Sequence, residues 1–441
     1  MSNNSGEIEG FGDIRNGARK VLNRIFGGDK AVWAVTVIML VISVFVAYSA
    51  LAYKERLSST DQLIDQLKMV SAGIVVLFGA SFFRYQWYRP LIKTGYIVSL
   101  GLTVAMLIWG TEVGGVKRSL PLFGIEFQPF ELLKIMVVLM LADALARRQK
   151  IIDTTPMIPN LCFWRWFKDP KRKDINTIID HTLPLLAPMA IACLVTLKTS
   201  NSTTLIIAVS CFVMLFIGRI QMKDLGKLLL VLSVAGVLAF TLLSNRDDTG
   251  KSRLSGLQPN MFKEYVVVES DGLPYYHNPN ESEQATNAKM SIATGGLFGK
   301  GPGMSTHRSL LQEAESDMVY AFLIEEYGAL GGLLVMLLFL ILFYRSIQIF
   351  QRCGTAFPSL VVLGLTMIIT LQAFMHMMVS VALFPLTGQQ LPLISKGGTS
   401  LLFTLASIGM ILNISRQTET KTHDRPKDES LLENNKTKKQ I

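Results

Sequence analysis

The sequence predicts an all-α polytopic membrane protein of about ten transmembrane helices, both termini cytoplasmic, with a large external loop between helices 7 and 8. Three observations carry this. The 441-residue chain is 50% hydrophobic and only 17% charged, whereas soluble domains carry about a quarter charged residues. Apolar runs long enough to cross a bilayer, about 20 residues each, recur along the chain. Lysine and arginine crowd alternate connections, as the positive-inside rule expects.

Taken in order, the first span falls near 31–53, the second near 67–83, the third near 90–109 and the fourth near 129–146. The fifth, near 182–197, is short and holds Pro184 and Pro188. Only the polar run KTSNS parts it from the sixth, near 202–218, so the two read as a tight hairpin. The seventh lies near 226–244, the eighth near 317–344, the ninth near 359–384 and the tenth near 398–415. The basic clusters precede the first span and follow the second, fourth, sixth, eighth and tenth, which places both termini in the cytoplasm. The chain thus divides into a cytoplasmic segment (1–30), a membrane domain (31–415) with an external loop near 245–316, and a basic tail (416–441) expected to be disordered. The polar first thirty residues do not read as a cleavable signal, so the first helix reads as an uncleaved anchor.

The net charge of +10 would suggest nucleic acid in a soluble protein. Here it reads as loop charge facing anionic headgroups, with no nucleic acid implied. The four cysteines form no metal-ligand spacing and no disulfide framework. In the loop after the fourth span, the run FWRWFK (163–168) reads equally as a headgroup contact or a packed loop helix.

Polar residues that interrupt the apolar pattern mark candidate chemistry. On the outer side, 110–134 carries helix breakers, the cation Arg118, and then Gln128, Glu131 and Lys134 at the head of the fourth span. Glu131 and Lys134 are three apart and share a helix face, either as a local ion pair or as the wall of an external cavity. The turn 198–204 offers hydroxyls that suit a capped hairpin. In the long loop, Arg253 and Lys263 are cations that read as solvated or as phosphate ligands.

The run GGLFGKGPG (295–303) has five glycines in nine residues. It reads either as a nest of backbone N–H groups for an anion, with Lys300 adding charge, or as a structural turn at the membrane edge. His307, Arg308, Glu313, Glu315 and Asp317 follow. Asp317 stands where the chain becomes apolar. Glu325 and Glu326 lie 8 and 9 residues further on, roughly 12–14 Å deeper along a helix, where an acid needs a partner or a wet cavity. The last polar stretch, 385–400, holds Gln389, Gln390, Ser395 and Lys396. His376, inside the ninth span, reads as a hydrogen-bonded structural group.

Several of these blocks, in this order, resemble the SEDS family (shape, elongation, division, sporulation) of membrane glycosyltransferases. The blocks are FQPFELLK (127–134), GGLFGKGPG (295–303), ESDMVYAFLIEEYG (315–328), LPLISKGGTSLL (391–402) and ILNISR (411–416). The EEYG ending and the loop lengths are closer to the division-type members than to the elongation-type ones. The chain departs from the family pattern at Ser119, Phe130, Ser200 and Lys396.

The resemblance implies a peptidoglycan glycosyltransferase of the bacterial inner membrane, acting at the division septum. It would polymerise lipid II and release undecaprenyl pyrophosphate. The family's essential acid falls on Asp317, the candidate general base. Arg118, Lys134, Arg253, Lys300 and Lys396 are candidates to stabilise the leaving pyrophosphate, with Mg2+ or Mn2+ as an expected aid. Glu131, His307, Glu313 and Ser395 complete the expected substrate site, and Gln128, Glu325 and Glu326 support it. A class B penicillin-binding transpeptidase and other division proteins are the implied partners. A lipid II flippase and a non-catalytic division scaffold are the other readings of the same residues.

Overall fold

A computed structural model of the protein describes residues 26–51, 56–113, 116–122, 125–152, 182–231, 233, 266–270, 273–277, 283–307, 316–384 and 387–437. Arg253, Lys263, Arg308, Glu313 and Glu315, the FWRWFK run and most of the seventh expected span lie outside these residues.

Helix α1 runs Lys30–Leu51 and α2 Arg56–Phe82. After the short turns Tyr85–Leu91, α3 covers Ile92–Trp109. Three strands follow: β1 (Thr111–Val113), β2 (Val116–Leu122) and β3 (Ile125–Phe127). Then come α4 (Pro129–Ile152), α5 (Leu183–Leu197) and α6 (Asn201–Ile217), and a further helical stretch over 222–231. Strands β4 (Val266–Ser270) and β5 (Leu273–His277) precede α7 (Glu283–Gly295). The chain closes with α8 (Val319–Arg352), α9 (Ala356–Ser380) and α10 (Gly398–Thr437).

Six helical segments are long and apolar enough to cross a membrane: Lys30–Ser49, Leu63–Phe82, Tyr85–Trp109, Val319–Arg352, Ala356–Ser380 and Gly398–Glu419. The expectation of ten full spans is therefore met by six among the described residues. Helices α5 and α6 are apolar but have only 15 and 17 residues. Helix α4 has the length but carries Glu131, Lys134 and Asp143 along its apolar run.

The fold is helical as expected, with two small antiparallel sheets beside the helices. Strands β1, β2 and β3 form an antiparallel sheet in that order, with Thr111 opposite Ser119 and Leu120 opposite Phe127. A second pair joins β4 to β5, Val266 opposite His277. The runs VVVES and LPYYH, parted by Asp-Gly, carry a hairpin signal that the membrane reading passed over. Helix α10 continues past Arg416 to Thr437, through most of the tail expected to be disordered.

Helix α9 is the buried centre, packed by α4, α6, α8 and α10. Helix α10 lies along α2. Gly409 admits the α2 backbone at Leu77, and Asn413 Nδ2 donates to the Ser81 carbonyl at 2.7 Å. Small residues and interhelical hydrogen bonds are what hold helices together where lipid removes the hydrophobic drive. Ion pairs close the basic ends. Asp143 lies between Arg89 and Arg147, at 2.7 Å from each, and Asp29 pairs with Arg345 at 2.5 Å.

Candidate active site

Two polar clusters sit inside this apolar frame. The first is built around the segment 387–400. Helix α4 opens on Pro129, with Glu131 in its first turn, where the helix dipole favours an acid. Glu131 and Lys134 are both buried, and Lys134 Nζ donates to Glu131 Oε1 at 2.8 Å and to Gln372 Oε1 of α9 at 2.7 Å. A buried ion pair is weak evidence of stability, because desolvation offsets its attraction. Such a pair near the head of a membrane-type helix makes this region the first place to look for a functional site.

From Gln372 the network reaches the segment itself. Gln372 Nε2 donates to the Gln390 carbonyl at 3.0 Å, and His376 Nδ1 to the Gln389 carbonyl at 2.7 Å. Gln389 Nε2 donates to Thr203 Oγ1 at 2.8 Å and to Ser200 Oγ at 3.2 Å. Ser200 also caps α6, accepting from the Thr203 N–H, so the departure from the family pattern at this position keeps a cap. Ser119 bonds Thr111 across the sheet at 2.6 Å, and Phe130 packs with Met106 and Leu120.

The segment turns sharply. Buried Leu393 takes φ 67°, a conformation that costs a non-glycine residue about 1–3 kcal/mol and persists only where its surroundings impose it. Ser395 is the clamp. Its Oγ accepts from the Leu391 N–H at 2.8 Å and donates to the Ser316 carbonyl at 2.9 Å. Asp317, next in the chain, lies half-buried in the turn before α8. Gln128 joins through its N–H to Thr399 Oγ1 at 3.1 Å. Arg118 of β2 lies against Gly388, where any Cβ would collide with its guanidinium. Arg118 Nε, Thr387 Oγ1, His376 Nε2, Gln389 Oε1 and Gln390 Oε1 are buried without hydrogen-bond partners. Lys396 is half-buried on the same segment.

The structure thus brings Arg118, Gln128, Glu131, Lys134, Ser395 and Lys396 around one segment, beside Asp317. Sequence reasoning missed Gln372 and treated His376 as isolated. Their spacing of four, one helix face in an otherwise apolar run, is the signal that links them.

The second cluster surrounds Glu325 and Glu326. Helix α8 is broken at Gly328, which has φ 72°. The glycine loop enters the break. Lys300 and Gly301 donate their N–H groups to the carbonyls of Glu325 and Glu326, and Ala329 and Leu330 donate to Gly296 and Leu297. A Cβ on Gly299 or Gly328 would overlap the opposing backbone. These glycines therefore serve backbone-to-backbone contact. The anion-nest reading does not hold, because the N–H groups of Gly299, Lys300, Gly301 and Gly303 already bond protein acceptors.

Glu325, fully buried, accepts from Lys300 Nζ at 2.7 Å, Ser305 Oγ at 2.6 Å, the Thr306 N–H at 3.0 Å and His307 Nδ1 at 2.9 Å. Glu326 binds Ser49 Oγ of α1 at 2.5 Å and the Gly303 N–H at 2.9 Å. Lys300 thus places its charge beside Glu325. Among the described residues, no group of three or more His, Cys, Asp or Glu could hold a metal ion, so the expected Mg2+ or Mn2+ has no matching ligand set there.

Membrane-length helices packed round a buried polar network define a class of multi-pass membrane proteins. Within that class, the chain belongs to the FtsW/RodA/SpoVE family of cell cycle proteins, which residues 29–420 match. It is similar to the probable peptidoglycan glycosyltransferase FtsW of Bacillus subtilis, 26% identical over 387 residues, covering 87% of this chain and 88% of that protein. It is also similar to the peptidoglycan glycosyltransferase MrdB of Escherichia coli, 28% identical over 384 residues, with 85% and 92% covered. In fold it matches a chain from a peptidoglycan synthase complex studied for the coordination of polymerization and crosslinking, with TM-score 0.63, 22% identity, and 89% and 98% of the two chains covered. The rod-shape-determining protein RodA of Thermus thermophilus matches with TM-score 0.56, 21% identity and the same coverage.

Proposed function

We propose that the protein is a peptidoglycan glycosyltransferase that polymerises lipid II during cell division. The observation that carries this is the network from Glu131–Lys134 through Gln372 and the Gln390–Leu391 peptide to Ser395, which ends on the carbonyl of Ser316 beside Asp317. Family membership and the names of the relatives support it.

Asp317 takes the proton from a sugar hydroxyl of one lipid-linked unit. The new glycosidic bond forms at the anomeric carbon of the other unit as its bond to pyrophosphate breaks, and undecaprenyl pyrophosphate leaves. Arg118, Lys396 and, outside the described residues, Arg253 supply positive charge to that leaving group. Lys134 acts through the network, since Glu131 and Gln372 hold it. The chain spans the inner membrane ten times with both termini cytoplasmic, and works at the septum with a class B penicillin-binding transpeptidase. The matched synthase complex supports such a partner.

Purified protein with its transpeptidase and lipid II tests this reading. Polymer from the wild type and none from Asp317→Ala is the expected result. Translocation of lipid II in vesicles without any polymer would replace the enzyme with a transporter.

A further inference from the structure

His307 was expected only to add to a substrate surface, but its geometry is more specific. The side chain is 15% exposed, against a Glu325 carboxylate with no exposure at all. His307 Nδ1 lies 2.9 Å from Glu325 Oε1. A carboxylate accepts and does not donate, so Nδ1 carries the proton of this bond, and in the neutral ring Nε2 keeps a lone pair. Two hydroxyls lie farther from Nδ1, Thr306 Oγ1 at 3.2 Å and Thr294 Oγ1 at 3.4 Å. Both have nearby acceptors of their own, Glu325 Oε1 for Thr306 and the Met290 carbonyl for Thr294. Nε2 makes no hydrogen bond to a described residue.

The ring is fixed from the backbone side as well. The His307 N–H reaches Glu325 Oε1 at 3.3 Å, and the loop before it is locked into the α8 break. Glu325 stands 8 residues beyond Asp317, with about 9 Å of α8 from Val319 to Glu325 between them, a length that the sugar headgroup of a lipid-linked disaccharide can bridge.

We propose that His307 contacts the substrate and that Glu325 is its positioning residue, the pair presenting Nε2 to a hydroxyl or acetamido N–H of the lipid-linked amino sugar. This rests on the glycosyltransferase reading and adds a subsite to it. The chemistry selects a sugar over a phosphate. Phosphate oxygens only accept, and the nearest cation, Lys300, is already paired with Glu325. The second partner of an imidazole is set by what its first nitrogen bonds, as in carboxylate–histidine pairs elsewhere.

Two measurements on the full chain in nanodiscs test it. Carbethoxylation of His307, followed by peptide mass spectrometry, should slow when lipid II is added and stay unchanged with phosphatidylglycerol. Equal rates with and without lipid II overturn the proposal, whether or not polymer forms. Protection without polymer keeps the subsite and removes the enzyme reading. In the polymerisation assay, His307→Ala should raise KM roughly three- to tenfold, the worth of one hydrogen bond, and leave kcat within about twofold. His307→Gln, which keeps an acceptor, should recover part of the loss, and Glu325→Gln should shift KM in the same direction as His307→Ala. An unchanged KM in His307→Ala, or a fall in kcat and melting temperature alone, overturns the contact.

Discussion

The two polar clusters use the same kind of residue in opposite ways. Around 387–400 the buried charges Glu131 and Lys134 face side-chain amides and carbonyls, and five buried polar atoms nearby lack partners. Around Glu325 and Glu326 the acids have donors from the glycine loop and from α1, and the backbone groups freed by the helix break are paired. The first region keeps hydrogen-bonding capacity in reserve on its buried atoms; in the second, the acids use theirs to hold a shape, and His307 Nε2 stays open among the described residues. Buried polar groups left unsatisfied are costly, so a native structure that keeps several together has a use for them.

The sharpest test of that contrast is at Asp317. Asp317→Ala should abolish polymerisation, by roughly 100-fold or more for a lost general base, in a protein that still melts cooperatively. A lipid II gel assay beside a thermal melt checks both. Lys134→Met should act on both properties. It strands Glu131 in the interior and should destabilise the fold by about 3–5 kcal/mol. The double substitution Glu131→Leu with Lys134→Met should recover much of the stability and none of the activity, read by the same melt and assay.

In the loop cluster, Gly299→Ala or Gly328→Ala should lower stability by about 2 kcal/mol or more, since each adds left-handed strain to a backbone overlap. Yield of monodisperse protein and its melting temperature report this, and normal values would mean that the loop does not sit in the break. The smallest effect belongs to Ser200→Ala. Loss of the α6 cap should cost about 1 kcal/mol, seen as a modest drop in melting temperature. A large drop would show that the Ser200–Gln389 contact matters more than the cap.

Much of this was legible in the sequence, for physical reasons that differ from place to place. Apolar runs of membrane length announce α1, α8, α9 and α10, because lipid leaves the backbone few other choices. The i, i+3 spacing of Glu131 and Lys134 announces their pair. The sheet at 111–127 was hidden, since glycines and prolines break a helix without saying what replaces it. The role of the glycine run was ambiguous by nature: close approach to a ligand and close approach to another backbone require the same residue. Gln372 was missed because an uncharged amide hardly disturbs an apolar pattern, and its partner, the carbonyl of Gln390, lies 18 residues away.

The break in α8 also bears on which parts of the chain depend on one another. Alone in hydrocarbon, Val319–Arg352 is best served by an unbroken helix, because the carbonyls of Glu325 and Glu326 and the N–H groups of Ala329 and Leu330 would otherwise have no partner. The partners they acquire, Gly296, Leu297, Lys300 and Gly301, belong to the loop that precedes the helix in the chain. An unbroken helix would satisfy these four groups with two bonds, Ala329 N–H to Glu325 and Leu330 N–H to Glu326, and the break replaces those two with four to the loop. Loop and helix are therefore each incomplete without the other, and the same join holds Glu325 where His307 reaches it.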